Sequence, residues 1–168
     1  MKKSLFVIVL LLIPVISIAQ QNAVPPCSAE EFSQFDFWIG EWSLTWSDTL
    51  HGSNSITKPF DQCVVMENFD SHPSGQFKGM SVSTYSIQEK KWKQTWVDNS
   101  GGYLDFTGGM VADSMILSRE AIGKEGNKLL QRMIWYNITD KSFDWDWQRS
   151  DDDGKSWKTN WQIAYQRK

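Results

Sequence analysis

From Gly40 onward, apolar and polar residues alternate with a period of two. Trp157, Thr159, Trp161, Ile163 and Tyr165 share one parity, while Lys158, Asn160, Gln162 and Gln166 take the other. Phe143, Trp145 and Trp147 stand against Asp144, Asp146 and Gln148. Trp92, Gln94, Trp96 and Asp98 stand against Lys91, Lys93, Thr95 and Val97. Successive side chains of a strand point to opposite faces, so this pattern predicts a sheet with one dry and one wet side. Turn residues punctuate the runs at His51-Gly52-Ser53-Asn54, Ser71 to Gly75, Gln88 to Lys90, Asn99 to Gly102 and Gly108-Gly109. They recur at Gly123 to Asn127, Thr139 to Lys141 and Asp151 to Lys155. The runs between them predict ten strands, near 41–47, 53–59, 62–69, 77–87, 91–98, 103–108, 114–121, 128–137, 142–149 and 157–167. The fold class is therefore all-β, an antiparallel up-and-down meander. A sheet of that size must close or pack on a second sheet, because open edges invite aggregation. Closure into a barrel with an aromatic-lined interior is the expectation, and a two-sheet sandwich is the alternative.

The start of the chain differs in kind. Lys2 and Lys3 precede an apolar stretch from Leu5 to Ala19, and Ser17 and Ala19 put small residues at the −3 and −1 positions. This is the pattern of an export signal cleaved before Gln20, and the stretch is short for a bilayer span. The expected organisation is a signal peptide at 1–19, a spacer at 20–27 and a single β-barrel domain at 28–168. The mature protein is then periplasmic or secreted, with no stable membrane insertion. Ser28-Ala29-Glu30-Glu31 matches the capping box, so a short helix is expected from Ser28 through about Gln34.

Removing 19 residues from 168 leaves 149, enough for one core. Ten tryptophans lie in that part. The formal charge is −3, and −5 without Lys2 and Lys3, which excludes a basic nucleic-acid footprint. Cys27 and Cys63 are the only cysteines. Outside the cytoplasm they are expected to pair, closing a loop of 36 residues worth about 3–4 kcal/mol; two buried thiols are the alternative.

The most distinctive segment is Phe35-Asp36-Phe37-Trp38-Ile39-Gly40-Glu41-Trp42. It contains the G-x-W that opens the first strand of lipocalins, after a short helical turn. The whole string resembles a family of uncharacterised, mostly exported bacterial domains with a lipocalin-like (calycin) barrel. Three further segments are similar to that family: Asp61-Gln62-Cys63, Trp96 to Gly102, and Ser150 to Trp157. The resemblance covers about residues 32–168. It implies a barrel able to enclose a cavity, and no established reaction. It also implies structural roles for Gly40 and Trp42, and a late basic residue packed on that tryptophan. Arg167 is placed to stack on Trp42, or else to lie solvated at the terminus. Related nitrobindin-type barrels hold haem through a late histidine. This chain has only His51 and His72, both in expected turns, so no cofactor is expected.

Other candidates divide between function and packing. The Ser150-x-Asp152-x-Gly154-x-x-Trp157 pattern reads as a hairpin turn that Trp157 anchors on the core, since one copy cannot make a propeller. No zinc spacing or EF-hand order is visible, so no metal is expected. No G-x-S-x-G or facing pair of carboxylates appears, and no catalytic residue is assigned. Trp38 and Trp42 suit the core. Trp96, Trp135, Trp145, Trp147 and Trp161 are candidates to wall a pocket, with Asn54, Gln94, Asp98 and Arg132 as polar groups orienting a ligand. Asp98 alternatively caps the Asn99–Gly102 turn. Binding of a small, partly apolar or aromatic molecule is the leading expectation. An enzyme using Asp98 or Glu67 as acid/base in the same barrel is a second. A surface aromatic module with no cavity is a third. Oligomeric state is left open.

Overall fold

The computed structural model describes residues 25–123 and 125–168. The expected signal peptide and most of the spacer lie outside these residues. Ten strands form: β1 (Gly40–Trp46), β2 (Leu50–Thr57), β3 (Val64–Asp70), β4 (Lys78–Ser86) and β5 (Lys91–Asp98) are followed by β6 (Tyr103–Val111), β7 (Ser114–Ile122), β8 (Lys128–Tyr136), β9 (Ser142–Ser150) and β10 (Lys158–Arg167). Each pairs antiparallel with its neighbours in sequence, and β1 pairs with β10, so the sheet is a closed barrel with no free edge. The closing register sets Trp42 beside Arg167 and Leu44 beside Tyr165. Closure decides between barrel and sandwich in favour of the barrel.

One end of the barrel is plugged by the chain that precedes β1. Two short 3-10 turns, Glu30–Ser33 and Asp36–Trp38, carry Phe32, Phe35 and Trp38 into the interior. The Phe35 ring packs edge-on against Trp92 at 4.8 Å and Trp135 at 5.3 Å. Trp38 meets Trp135 at 5.2 Å, and its carbonyl accepts the Trp42 indole N–H at 2.8 Å. Arg167 stacks over Trp42 at 4.2 Å and donates to the carbonyls of Ile39 at 2.7 Å and Phe37 at 3.0 Å. It therefore clamps the plug to the closing strand. Gly40 makes the clamp fit: it has φ +135°, and a Cβ there would strike the guanidinium. The Cys27–Cys63 disulfide spans 36 residues and ties the segment ahead of the plug to the turn before β3.

Several local expectations need correction. Ser28 does not cap a helix: Ala29 holds that position with no side-chain cap. The turn that follows is 3-10 and four residues long, too short to supply the α-helical N3 geometry of a capping box. His51-Gly52-Ser53-Asn54 is strand; the chain turns earlier, where Ser47 and Asp48 adopt φ 52° and 60°. Gly108-Gly109 is likewise strand. A Cβ at Gly108 would collide with the Ile116 carbonyl of β7, so this glycine permits a close approach of strands rather than a turn.

The largest correction concerns β10. The register shifts between Thr159 and Trp161, which leaves Asn160 as a bulge and reverses the parity before it. Thr159 therefore faces outward, where its hydroxyl bonds Asp146 at 3.2 Å. Trp157 also lies outside, under the Arg132 guanidinium at 3.9 Å, with its N–H on the Gly154 carbonyl at 3.1 Å. It anchors the turn on the outer face, not on the core. The turn itself forms as its residues predict. Asp152 accepts from the Ser150 hydroxyl at 2.7 Å and the Ser156 N–H at 2.9 Å, and Gly154 supplies φ 83°.

Candidate functional site

The plug fills the barrel from one end only. Toward the other end the interior holds a half-enclosed cavity of about 200 Å³. An apolar cavity of about 150 Å³ is enough for benzene, so a ring with a short substituent fits here. The cavity lies beyond the reach of the plug, where inward positions on the far half of the strands carry large flat side chains that meet edge to face. Trp161 packs against Trp145 at 5.8 Å and Phe69 at 5.7 Å, and Trp135 against Trp145 at 6.4 Å. Trp147 meets Phe106 at 5.6 Å. Gly79 contributes as well, since any side chain there would occupy the place of the Trp96 ring.

The wall is almost wholly apolar, with Glu67 and Tyr165 as the exceptions. On β3 the inward positions are Val65, Glu67 and Phe69, so pleat geometry alone points the carboxyl into the barrel. Both of its oxygens are held: Asn54 donates to one at 2.7 Å and the Ser81 hydroxyl to the other at 2.6 Å. Asn54 also donates to the Tyr165 hydroxyl at 3.1 Å. No lysine, arginine or histidine lines the cavity among the described residues. Burial pushes the Glu67 carboxyl up to about 7, against the hydrogen bonds from Ser81 and Asn54 that favour its ionised form. Burial also lifts the Tyr165 phenol well above its ordinary range, and the Glu67 charge adds to this. The Asn54 side-chain oxygen is buried with no hydrogen-bond partner among the described residues. The site thus joins an aromatic wall to one fixed carboxyl that changes charge near neutrality.

The five tryptophans singled out from sequence, Trp96, Trp135, Trp145, Trp147 and Trp161, all line this cavity. The four polar candidates do not. Asn54 stands behind Glu67 and positions it. Gln94 is buried but donates to Ser83 at 2.9 Å, away from the cavity. Arg132 is on the outer face, bonded to Gln148 at 2.8 Å and stacked on Trp157. Asp98 caps the turn after β5, accepting from the N–H groups of Ser100 at 2.8 Å and Gly102 at 2.9 Å. The Gly102 N–H and then the Trp96 indole hold its carboxyl below the usual range. Asp98 still reaches the site indirectly, because the Trp96 indole donates to it at 3.0 Å and is thereby oriented.

Glu67, which the sequence offers only as an acid/base for an enzyme, and Tyr165 are not among the ligand-orienting candidates, yet both line the cavity. Their signal was parity: a carboxylate between Val65 and Phe69, and a phenol two positions after Ile163. Among the described residues no three His, Cys, Asp or Glu side chains gather as metal ligands. The His51 ring meets the Thr45 hydroxyl on the surface, and its backbone N–H donates to Ser74. No helix of the described residues is long and apolar enough to cross a membrane. A scan against protein-family models finds no match, and a search of curated proteins also finds none.

Proposed function

We propose that this protein is an exported carrier or sensor barrel that binds a small, mostly apolar or aromatic molecule between its plug and its far end. The observation that supports this best is the cavity of about 200 Å³ walled by five tryptophans. An interior built for stability alone is packed to near-crystalline density, and an empty space of this size costs stability. Four of those tryptophans, Trp96, Trp145, Trp147 and Trp161, are only half-buried although they point inward, which leaves part of each ring within reach of a ligand. The lipocalin-like resemblance and the export signal fit the same reading. So does the disulfide, which belongs to an oxidising compartment.

Calorimetric titration with toluene and indole tests the proposal. Both are expected to bind saturably, with bound ligand raising the melting temperature. Leu104 lies on the cavity wall, so L104W is expected to fill the space and abolish binding without loss of fold. Failure of both probes to bind, or binding unaffected by L104W, would overturn it.

A further inference from the structure

Resting on that reading of the cavity, we propose that its ligand class is the protonated arylalkyl amine, with the ammonium group on Glu67 and the ring among the indoles. The charge pattern carries this inference. Among the described residues Glu67 is the only charged side chain lining the cavity, and nothing on that wall neutralises it. A carboxylate in a dry site is costly without a counter-charge. Here the protein fixes the carboxyl with two donors and leaves the counter-charge out. An ionised carboxylate has about four lone-pair sites, so two remain for a ligand donor. The rest of the wall is largely aromatic, with Trp135, Trp145, Trp161 and Phe69 among its lining residues, and an aromatic ring attracts a cation placed over its face. An organic cation gains from both the carboxylate and the rings, a neutral molecule from the apolar area alone, and an anion is repelled.

The groups that face Glu67 are consistent with this. From β2 they are Asn54 and Ile56, from β4 Ser81 and Ser83, from β10 Tyr165, and from β3 itself Val65 and Phe69. None of these is a cation, and Tyr165 is the only other titratable group. Arg119, at 5.8 Å from the Phe106 ring, does not line the cavity; it is held by Gln131 at 2.9 Å and approaches Asp105 at 3.9 Å.

The experiment is a calorimetric comparison of three probes of similar size: 2-phenylethylamine, 2-phenylethanol and phenylacetate, each at pH 6 and pH 8. The amine is expected to bind at least about tenfold tighter than the alcohol at pH 8, with the carboxylate weakest. Its affinity is expected to fall by about tenfold at pH 6, where the ligand must displace a proton from a carboxyl that titrates near 7. The alcohol's affinity should be nearly constant with pH. In E67Q, with its fold verified by circular dichroism, the amine-to-alcohol ratio should drop to about one. Equal binding of amine and alcohol, a preference that survives E67Q, or tightest binding of the carboxylate would overturn the proposal and leave the cavity reading standing. Should none of the three bind, and toluene also fail, both readings fall. The wild-type ratio and its pH dependence decide the matter even if E67Q does not fold.

Discussion

Glu67 shows how a single residue can set both a site and a stability profile. Its folded-state value of about 7 exceeds the ordinary 4.5, so between these values the folded protein holds a proton that the unfolded chain releases. Stability is therefore expected to fall as pH rises from about 4.5 to 7, by on the order of 3 kcal/mol at most, and then to level. E67Q should flatten that slope and melt higher than wild type at pH 8, read by calorimetry across the range. Gly79 makes a second prediction. Gly79→Ala forces a methyl group into the Trp96 ring, so Trp96 must leave its bond to Asp98. The expected cost is about 1–3 kcal/mol, with a shift in tryptophan emission and weaker toluene binding. Arg167 joins a cation–π stack to three carbonyl acceptors, those of Phe37, Ile39 and Asp140. Arg167→Ala should lower stability by about 2–3 kcal/mol in urea unfolding, and Arg167→Lys should recover little, because an ammonium cannot span those acceptors while stacking.

At the scale of elements, the plug and the last hairpin do different work. The plug is short and carries no side-chain cap of its own, so its position depends on Trp42, Arg167 and the disulfide. Replacing Cys27 and Cys63 together by serine is expected to cost about 3–4 kcal/mol, matched by the effect of reductant on the wild-type melting temperature. The last hairpin owes its form to local chemistry. Ser150, Asp152, Gly154 and Ser156 satisfy one another within the turn, and the Asp152 carboxyl is lowered to about 2 by the hydroxyls of Ser156 and Ser150. That contribution is present above the ordinary carboxylate range and lost only as pH falls toward 2. The bulge at Asn160 is a different matter. It is a register event between two strands, and no residue within β10 announces it. Extending the alternation of Trp161, Ile163 and Tyr165 backward therefore placed Trp157 and Thr159 on the wrong face.

At the scale of the whole molecule, closure turns alternation into a cavity. Period two and turn chemistry were sufficient for strand number and antiparallel order, and with the Phe35–Trp42 string they favoured a barrel over a sandwich and set five tryptophans apart as wall candidates. These properties are local, because a pleat repeats every two residues and a turn is written in its own side chains. Other features depend on residues far apart in sequence. Asn54, Glu67, Ser81 and Tyr165 come from four strands, and the bond from Asn54 to Tyr165 spans 111 positions. Arg132 and Gln94 looked equivalent to Asn54 as inward polar groups, yet one proved external and the other was already satisfied by Ser83. Parity says which residues share a face and cannot say which face is inside. The sequence by itself therefore determined an antiparallel meander rich in indoles that share strand faces. Only the tertiary structure decided that the sheet closes with those indoles inside, that a plug fills one end, that space is left at the other, and that among the described residues the single charge facing this space is Glu67. The physical reason is that a cavity and its electrostatics are sums over strands distant in the chain, set by closure and packing rather than by any one strand.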